Sequence, residues 1–206
     1  MYALVTDGTI TKYFSYPKGF TLGELQYPAD IFMKWSVEEK EAIGIYEVVF
    51  DDNNKKNEQW YINTNQTFAF ADGVVTASYD TAIAKSHADS LWTQQDSDDG
   101  NLPSDKSVGD VRGEGLKTTL IRTLKSQVAG ILKNTDWYVT RNTEKSTAIP
   151  SSISTHRDAV RTKQAAMETA IMNAADTAAL ETLYTFTEQE DGSVTRPLGE
   201  LPVLES

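Results

Sequence analysis

The stretch LKTTLIRTLKSQVAGILKNTDWYVTRNTEKSTAIPSSIS, residues 116–154, decides the fold of the second half of the chain. Leu116, Leu120, Leu124, Val128 and Ile131 or Leu132 recur at spacings of three and four, with Lys and Arg opposite. That period places them on one face of an amphipathic helix. The pattern lapses through Thr135-Asp136-Trp137 and resumes after Pro150, a residue suited to a helix start because its missing N–H costs nothing there. The second helix carries Ile153, His156, Val160, Met167, Ala170, Ile171 and Ala174 on one face. About fifteen residues join the two helices. Neither can bury its stripe alone, so an antiparallel hairpin is predicted.

Outward from the hairpin, DTAALETLYTF predicts a third short helix with Asp176 as its N-cap. The final TEQEDGSVTRPLGELPVLES (187–206) is acidic and proline-bearing, and predicts an extended tail. On the other side, SHADSLWTQQDSDDGNLPS (86–104) loses periodicity and gathers Asp, Ser, Gly and Pro. It predicts a linker or exposed loop, with Trp92 anchored on a neighbour.

Residues 1–85 have the period of strands. YALVTDGTITKYF reads as a hairpin about Asp7-Gly8, a dipeptide that tolerates the positive φ of tight turns. GIYEVVF (44–50), QWYINTN (59–65) and QTFAFADGVVTASYD (66–80) predict further strands, the last around a second Asp-Gly at 72–73. SVEEKEAIG predicts one short helix: Ser36 and Glu39 have capping-box spacing, and Gly44 suits the stop. The fold class is therefore α+β. A small β-rich domain with one short helix (1–85) precedes a linker (86–104), a helical hairpin with a third short helix (105–186) and an extended acidic tail (187–206).

Charge narrows the partners. The net charge of −11 argues against nucleic acid, whose binders cluster cations on the phosphate backbone. The charge is uneven: residues 1–104 carry 7 basic and 16 acidic side chains, 105–176 carry 11 and 8, and 177–206 carry 1 and 6. No run approaches the roughly 20 apolar residues of a membrane span, and MYALVTDGTI lacks the features of an export signal. A soluble, unexported chain with no membrane partner is the expectation. The absence of cysteine removes disulfides, thiolate metal sites and Cys nucleophiles.

The chemical candidates are sparse. His87, in KSHADS, reads as a loop residue, and His156 as a boundary histidine on an apolar helix face. DDNNKK (51–56) lacks the ligand spacing of a Ca²⁺ loop and reads as a turn. GDVRGEG (109–115) fits neither phosphate-binding glycine pattern and reads as a loose helix start. No catalytic residue, metal or cofactor is expected.

The hairpin corner carries a resemblance. A helix leading into Thr135-Asp136-Trp137, then Arg141, Ile149-Pro150, Arg157, Val160 and Arg161, resembles the short helical module of bacteriophage tail assembly chaperones and tail-fibre assembly proteins. In that module a Y-R-x-x-[LV]-R core follows the proline. His156 stands here where Tyr is more usual. The likeness covers residues 128–172. WSVEEKEAIGIYEV also resembles the S-x-E-E-x-x-x-[LI]-G-[IV] segment of many phage tail-fibre accessory proteins.

The resemblance implies a non-enzymatic tail protein that binds tail-fibre or baseplate proteins. It acts as an assembly factor in the host cytoplasm or is retained in the virion tail, where homo-oligomeric rings are common. A small carbohydrate-binding or hydrolase module built on the aromatic strands is the alternative from another class. Trp137 is expected to close the hairpin between its helices, with Asp136 accepting hydrogen bonds at the corner. Arg157 and Arg161 are expected to pair with Asp158, Glu144 or Asp136. Partner contacts are assigned to exposed aromatics and tail residues: Trp60, Tyr61, Trp92, Leu198, Leu201 and Leu204.

Overall fold

Strand β1 (Tyr2–Thr6) organises the first unit because both of its faces are buried. It lies between β2 (Thr9–Phe14) and β5 (Ile45–Asp51), antiparallel to each. The computed structural model describes residues 1–204, in which strands and helices combine as an α+β protein of two compact units, Met1–Ile83 and the remainder from Ala84. The order of the main sheet is β2-β1-β5-β8-β7, with β7 spanning Thr67–Ala71 and β8 spanning Val74–Ser78. The β5–β8 pair is parallel and all other neighbours are antiparallel. The sheet curls until its edge strands face each other, and the rings of Tyr13 on β2 and Phe68 on β7 lie 4.7 Å apart.

Alternation along β1 assigns two cores. Ala3 and Val5 pack with Val48, Val75 and Ala77. Leu4 packs with Phe14, Phe20, Ile31, Phe32 and Ile45 on the other face. That second layer is supplied by β3 (Phe20–Leu22), β4 (Leu25–Tyr27) and two short helices, α1 (Ile31–Lys34) and α2 (Val37–Ala42), where one helix was expected. The capping box is formed at α2: Glu39 donates its N–H to Ser36 Oγ, and Ser36 donates its own to the Glu39 carboxylate. Asp7-Gly8 and Asp72-Gly73 all have positive φ, as their hairpin turns require.

The expected strand at 59–65 shrinks to β6 (Tyr61–Ile62), which pairs with β9 (Ile83–Ala84). The preceding DDNNKK segment is a turn: the N–H of Asn53 donates to the Asp51 carboxylate at 3.0 Å.

In the second unit the hairpin consists of α4 (Leu116–Lys133) and α6 (Ser151–Asn173). Their direction is antiparallel. Lys117, at the start of α4, donates to the carbonyl of Met172 at the end of α6, and Arg157 near the start of α6 donates to the carbonyl of Leu132. Leu124 and Val128 on α4 and Ile153, Val160, Met167 and Ile171 on α6 are all buried, and the two helices pack on each other. The connection is not a plain loop, since it contains α5 (Asp136–Lys145). Helix α7 (Thr177–Tyr184) begins at Asp176, whose carboxylate accepts the Ala179 N–H at 2.8 Å.

Two expectations are corrected here. Residues 86–104 are not a bare linker: they hold β10 (Ser90–Leu91), paired with β11 (Val111–Gly113), and α3 (Gln94–Asp98), which has its own capping box from Thr93 and Asp96. Nor is the described part of the tail, 187–204, simply an extended arm, residues 205–206 of that expectation lying outside the described residues. It opens with a two-stranded hairpin, β12 (Thr187–Glu188) and β13 (Val194–Thr195), and then folds back to bury Leu198.

Candidate partner-binding surface

The corner at the far end of the hairpin is built around one cation. Arg157 is only 8% exposed, and its guanidinium reaches three oxygens. It donates to the Leu132 carbonyl at 2.8 Å and to Thr135 Oγ1 at 2.7 Å, and it pairs with Asp136 Oδ1 at 2.9 Å. Leu132 lies in the last turn of α4, and its carbonyl also accepts the backbone N–H groups of Asn134 and Thr135. The planar, permanently charged fork adds hydrogen bonds stronger than neutral ones. Thr135 is buried and also donates from Oγ1 to the same Leu132 carbonyl. Arg161 is placed one turn further along, exposed, with Asp158 at 3.4 Å.

Trp137 does not close the hairpin. It is 51% exposed, on a helix with no buried residue. The reason is phase: α5 begins at Asp136, whose carboxylate is drawn toward Arg157, and the next residue falls about 100° around the helix. Its ring lies 3.9 Å, centroid to centroid, from that of Tyr138, and the Arg141 guanidinium sits over it at 5.6 Å. Trp137 and Arg141, four residues apart, form an exposed aromatic and cationic face on α5, and Val139 is exposed on the other side of the helix. The corner was legible in the sequence, but the direction of its tryptophan was not.

The proposed contact residues fare unevenly. Trp60 is 2% exposed and Tyr61 is equally internal, so both belong to the interior of the first unit. An amphipathic reading of QWYINTN could not distinguish an outward from an inward aromatic in so short a strand. Trp92 is half-buried, with the Arg112 guanidinium 4.7 Å from its ring centroid, and its backbone N–H donates to the Asp110 carbonyl. Leu198 is 3% exposed, and its N–H donates to the carbonyl of Leu183. Leu201 is half-buried, and Leu204 stays on the surface.

The segment from Arg196 to Leu204 runs along the hairpin. Arg196 pairs with Glu200 at 2.7 Å and lies over the rings of Tyr184 and Phe186. Burial raises the Tyr184 phenol above its ordinary value, with Arg196 opposing. Clefts open beside the segment. One, of about 290 Å³, lies among Ile131, Asn134, Thr135, His156 and residues 201–204.

A second feature holds the start of α4, and sequence reasoning missed it. Asp89 accepts the Gly115 N–H at 2.7 Å and the Thr118 hydroxyl at 2.9 Å, capping α4 from 26 residues upstream. These two bonds hold its carboxyl below the usual Asp value, the Gly115 N–H contributing most. His87, two residues earlier, contributes a carbonyl to the Lys117 N–H. A Cβ at Gly115 would collide with the Ala88 backbone, which explains a glycine at that N-cap.

Among the described residues no group of three or more His, Asp or Glu side chains converges as metal ligands, and no helix is long and apolar enough to cross a membrane. Comparison of the chain with protein-family models, with curated proteins and with solved structures finds no match.

Proposed function

We propose that this chain is a non-enzymatic bacteriophage tail protein that binds a tail-fibre or baseplate protein during particle assembly in the host cytoplasm. The observation that carries the reading is the contrast at the corner. Thr135, Asp136 and Arg157 satisfy one another and the end of α4, whereas Trp137 of the same short motif faces solvent on a helix that buries nothing. A ten-residue helix is marginal without tertiary packing, so a partner that covers it supplies what the fold withholds. Tryptophan flanked by arginine is also the composition of interface anchors.

Mass spectrometry of infected lysate and of intact virions tests the assignment. An assembly factor is abundant in the lysate and missing from the particle. Recovery from virions at a fixed ratio to a tail ring makes the chain a structural subunit, and detection in neither overturns the phage reading. The surface is tested by capture of the co-expressed tail-fibre protein: Trp137→Ala lowers affinity roughly tenfold or more if Trp137 is an anchor.

A further inference from the structure

The segment 201–204 is seated in a groove larger than itself, and it is held there by very little. Up to Glu200 the chain is fixed by the buried Leu198, the Leu198–Leu183 backbone bond and the Arg196–Glu200 pair. Beyond that point, Leu201 to Leu204 make no hydrogen bond to the rest of the described chain. They rest on side chains alone. Leu201 and Pro202 are half-buried, whereas Val203 is 85% exposed.

The groove runs between the last turn of α4 and the first turns of α6. On one side of the segment lie Ile131, Asn134 and Thr135, and on the other Ser151, Thr155 and Ala159, with His156 shared by both. The second cleft holds about 440 Å³. Both clefts remain open beside the bound segment, so the groove accepts more side-chain volume than Leu-Pro-Val-Leu supplies. Ile131 and Ala159 offer apolar contact, and Asn134, Thr135, Ser151 and Thr155 offer an amide and hydroxyls, a mixture suited to an extended backbone with apolar side chains.

We propose that this groove is the docking site for an extended, proline-containing apolar segment of the partner protein, and that residues 201–204 are its displaceable internal occupant. The occupant states the chemistry: two leucines three residues apart, enclosing a proline, in a stretch with a neighbouring acidic residue. Proline suits the role because its fixed φ lowers the entropy lost on ordering. The inference deepens the partner-binding role proposed above. A tethered occupant competes at an effective concentration in the millimolar range, so the resident segment sets a threshold that only a partner segment with added contacts exceeds.

The test titrates a fluorescent peptide, RPLGELPVLES, into the full chain and into the full-length double variant Leu201→Asp/Leu204→Asp. The substitutions unseat the resident segment and leave Leu198, Arg196 and the hairpin intact. The expected result is peptide binding to the variant at least roughly tenfold tighter than to the unaltered chain. A third protein adds Ala159→Arg, which fills the groove from α6, and is expected to lose the binding while retaining its helical circular dichroism. Equal affinity for the unaltered chain and the double variant overturns the proposal, as does no binding to either. If the double variant fails to fold, limited proteolysis of the unaltered chain decides. Saturating peptide is then expected to speed cleavage within residues 201–204, and an unchanged cleavage rate overturns the proposal. Concentration-dependent dimers of the unaltered chain that dissociate in the double variant also overturn it, by making the occupant a second copy. A negative peptide result leaves the virion measurement untouched, so the two readings fail separately.

Discussion

Gly44 shows how much of this fold rests on single positions. Its φ is +81°, and a Cβ there would run into the Val5 carbonyl oxygen, on the strand whose Val5 N–H donates to the Gly44 carbonyl at 2.8 Å. Gly44→Ala is expected to cost about 2–4 kcal/mol, combining left-handed strain with the collision, and denaturant melts of the first unit will measure it. Arg157 is the counterpart in the second unit. Arg157→Ala leaves the Leu132 carbonyl and the Thr135 hydroxyl without their cationic donor and is expected to cost about 2–4 kcal/mol. Arg157→Lys recovers only part of this, because an ammonium cannot match the planar fork. Trp137→Ala, by contrast, is expected to stay within about 0.5 kcal/mol of the unaltered chain, as exposed substitutions do. A thermal melt that drops as far for Trp137→Ala as for Arg157→Ala contradicts the solvent-facing placement.

At the scale of elements, α4 is the informative case. Its stripe of Leu124 and Val128 is read directly from the sequence, and so are the N-cap at Asp176 and the Ser36–Glu39 capping box, because each rests on spacings of three or four residues. Its N-terminal cap is not local. Gly115 has no side chain to offer, and Asp89 supplies the acceptor from a segment without periodicity. The Asp89 carboxyl is lowered in the folded state, so its contribution is complete above the unfolded Asp value near 4 and fades as pH falls from there through the lowered folded value. Asp96, held low chiefly by the Thr93 hydroxyl and N–H, acts in the same direction in the same unit. Asp89→Asn is therefore expected to lower the melting temperature of the helical signal by several degrees at pH 7, with the gap to the unaltered chain closing toward pH 3. A gap that stays constant over that range assigns the effect to packing instead of to the carboxylate.

The whole molecule is two units, each with its own buried apolar residues, and this has a consequence for unfolding. Strand β1 is an interior strand of the first sheet, paired on both sides, and contributes to both of its cores. Deleting residues 1–6 is expected to abolish the first unit, while the long helices α4 and α6, which lie in the second, retain most of the signal at 222 nm. Loss of both signals together would show that the units fold as one.

Local chemistry carried most of the elements. Turn dipeptides, capping boxes and apolar stripes act over a few residues, so hairpins, helix starts and the α+β class are written in the order of side chains. The corner was legible for the same reason, although the sequence left open whether Arg157 would meet Asp158, Glu144 or Asp136. Tertiary structure alone decided three things: that β5 runs parallel to β8, that Trp60 and Tyr61 point inward while Trp137 points outward, and that Leu198 closes a core instead of trailing in a tail. These depend on which surfaces meet across long stretches of chain. Burial rewards any apolar side chain with almost no directional preference, so residue type leaves open which face of a strand or helix is covered until its neighbours are in place.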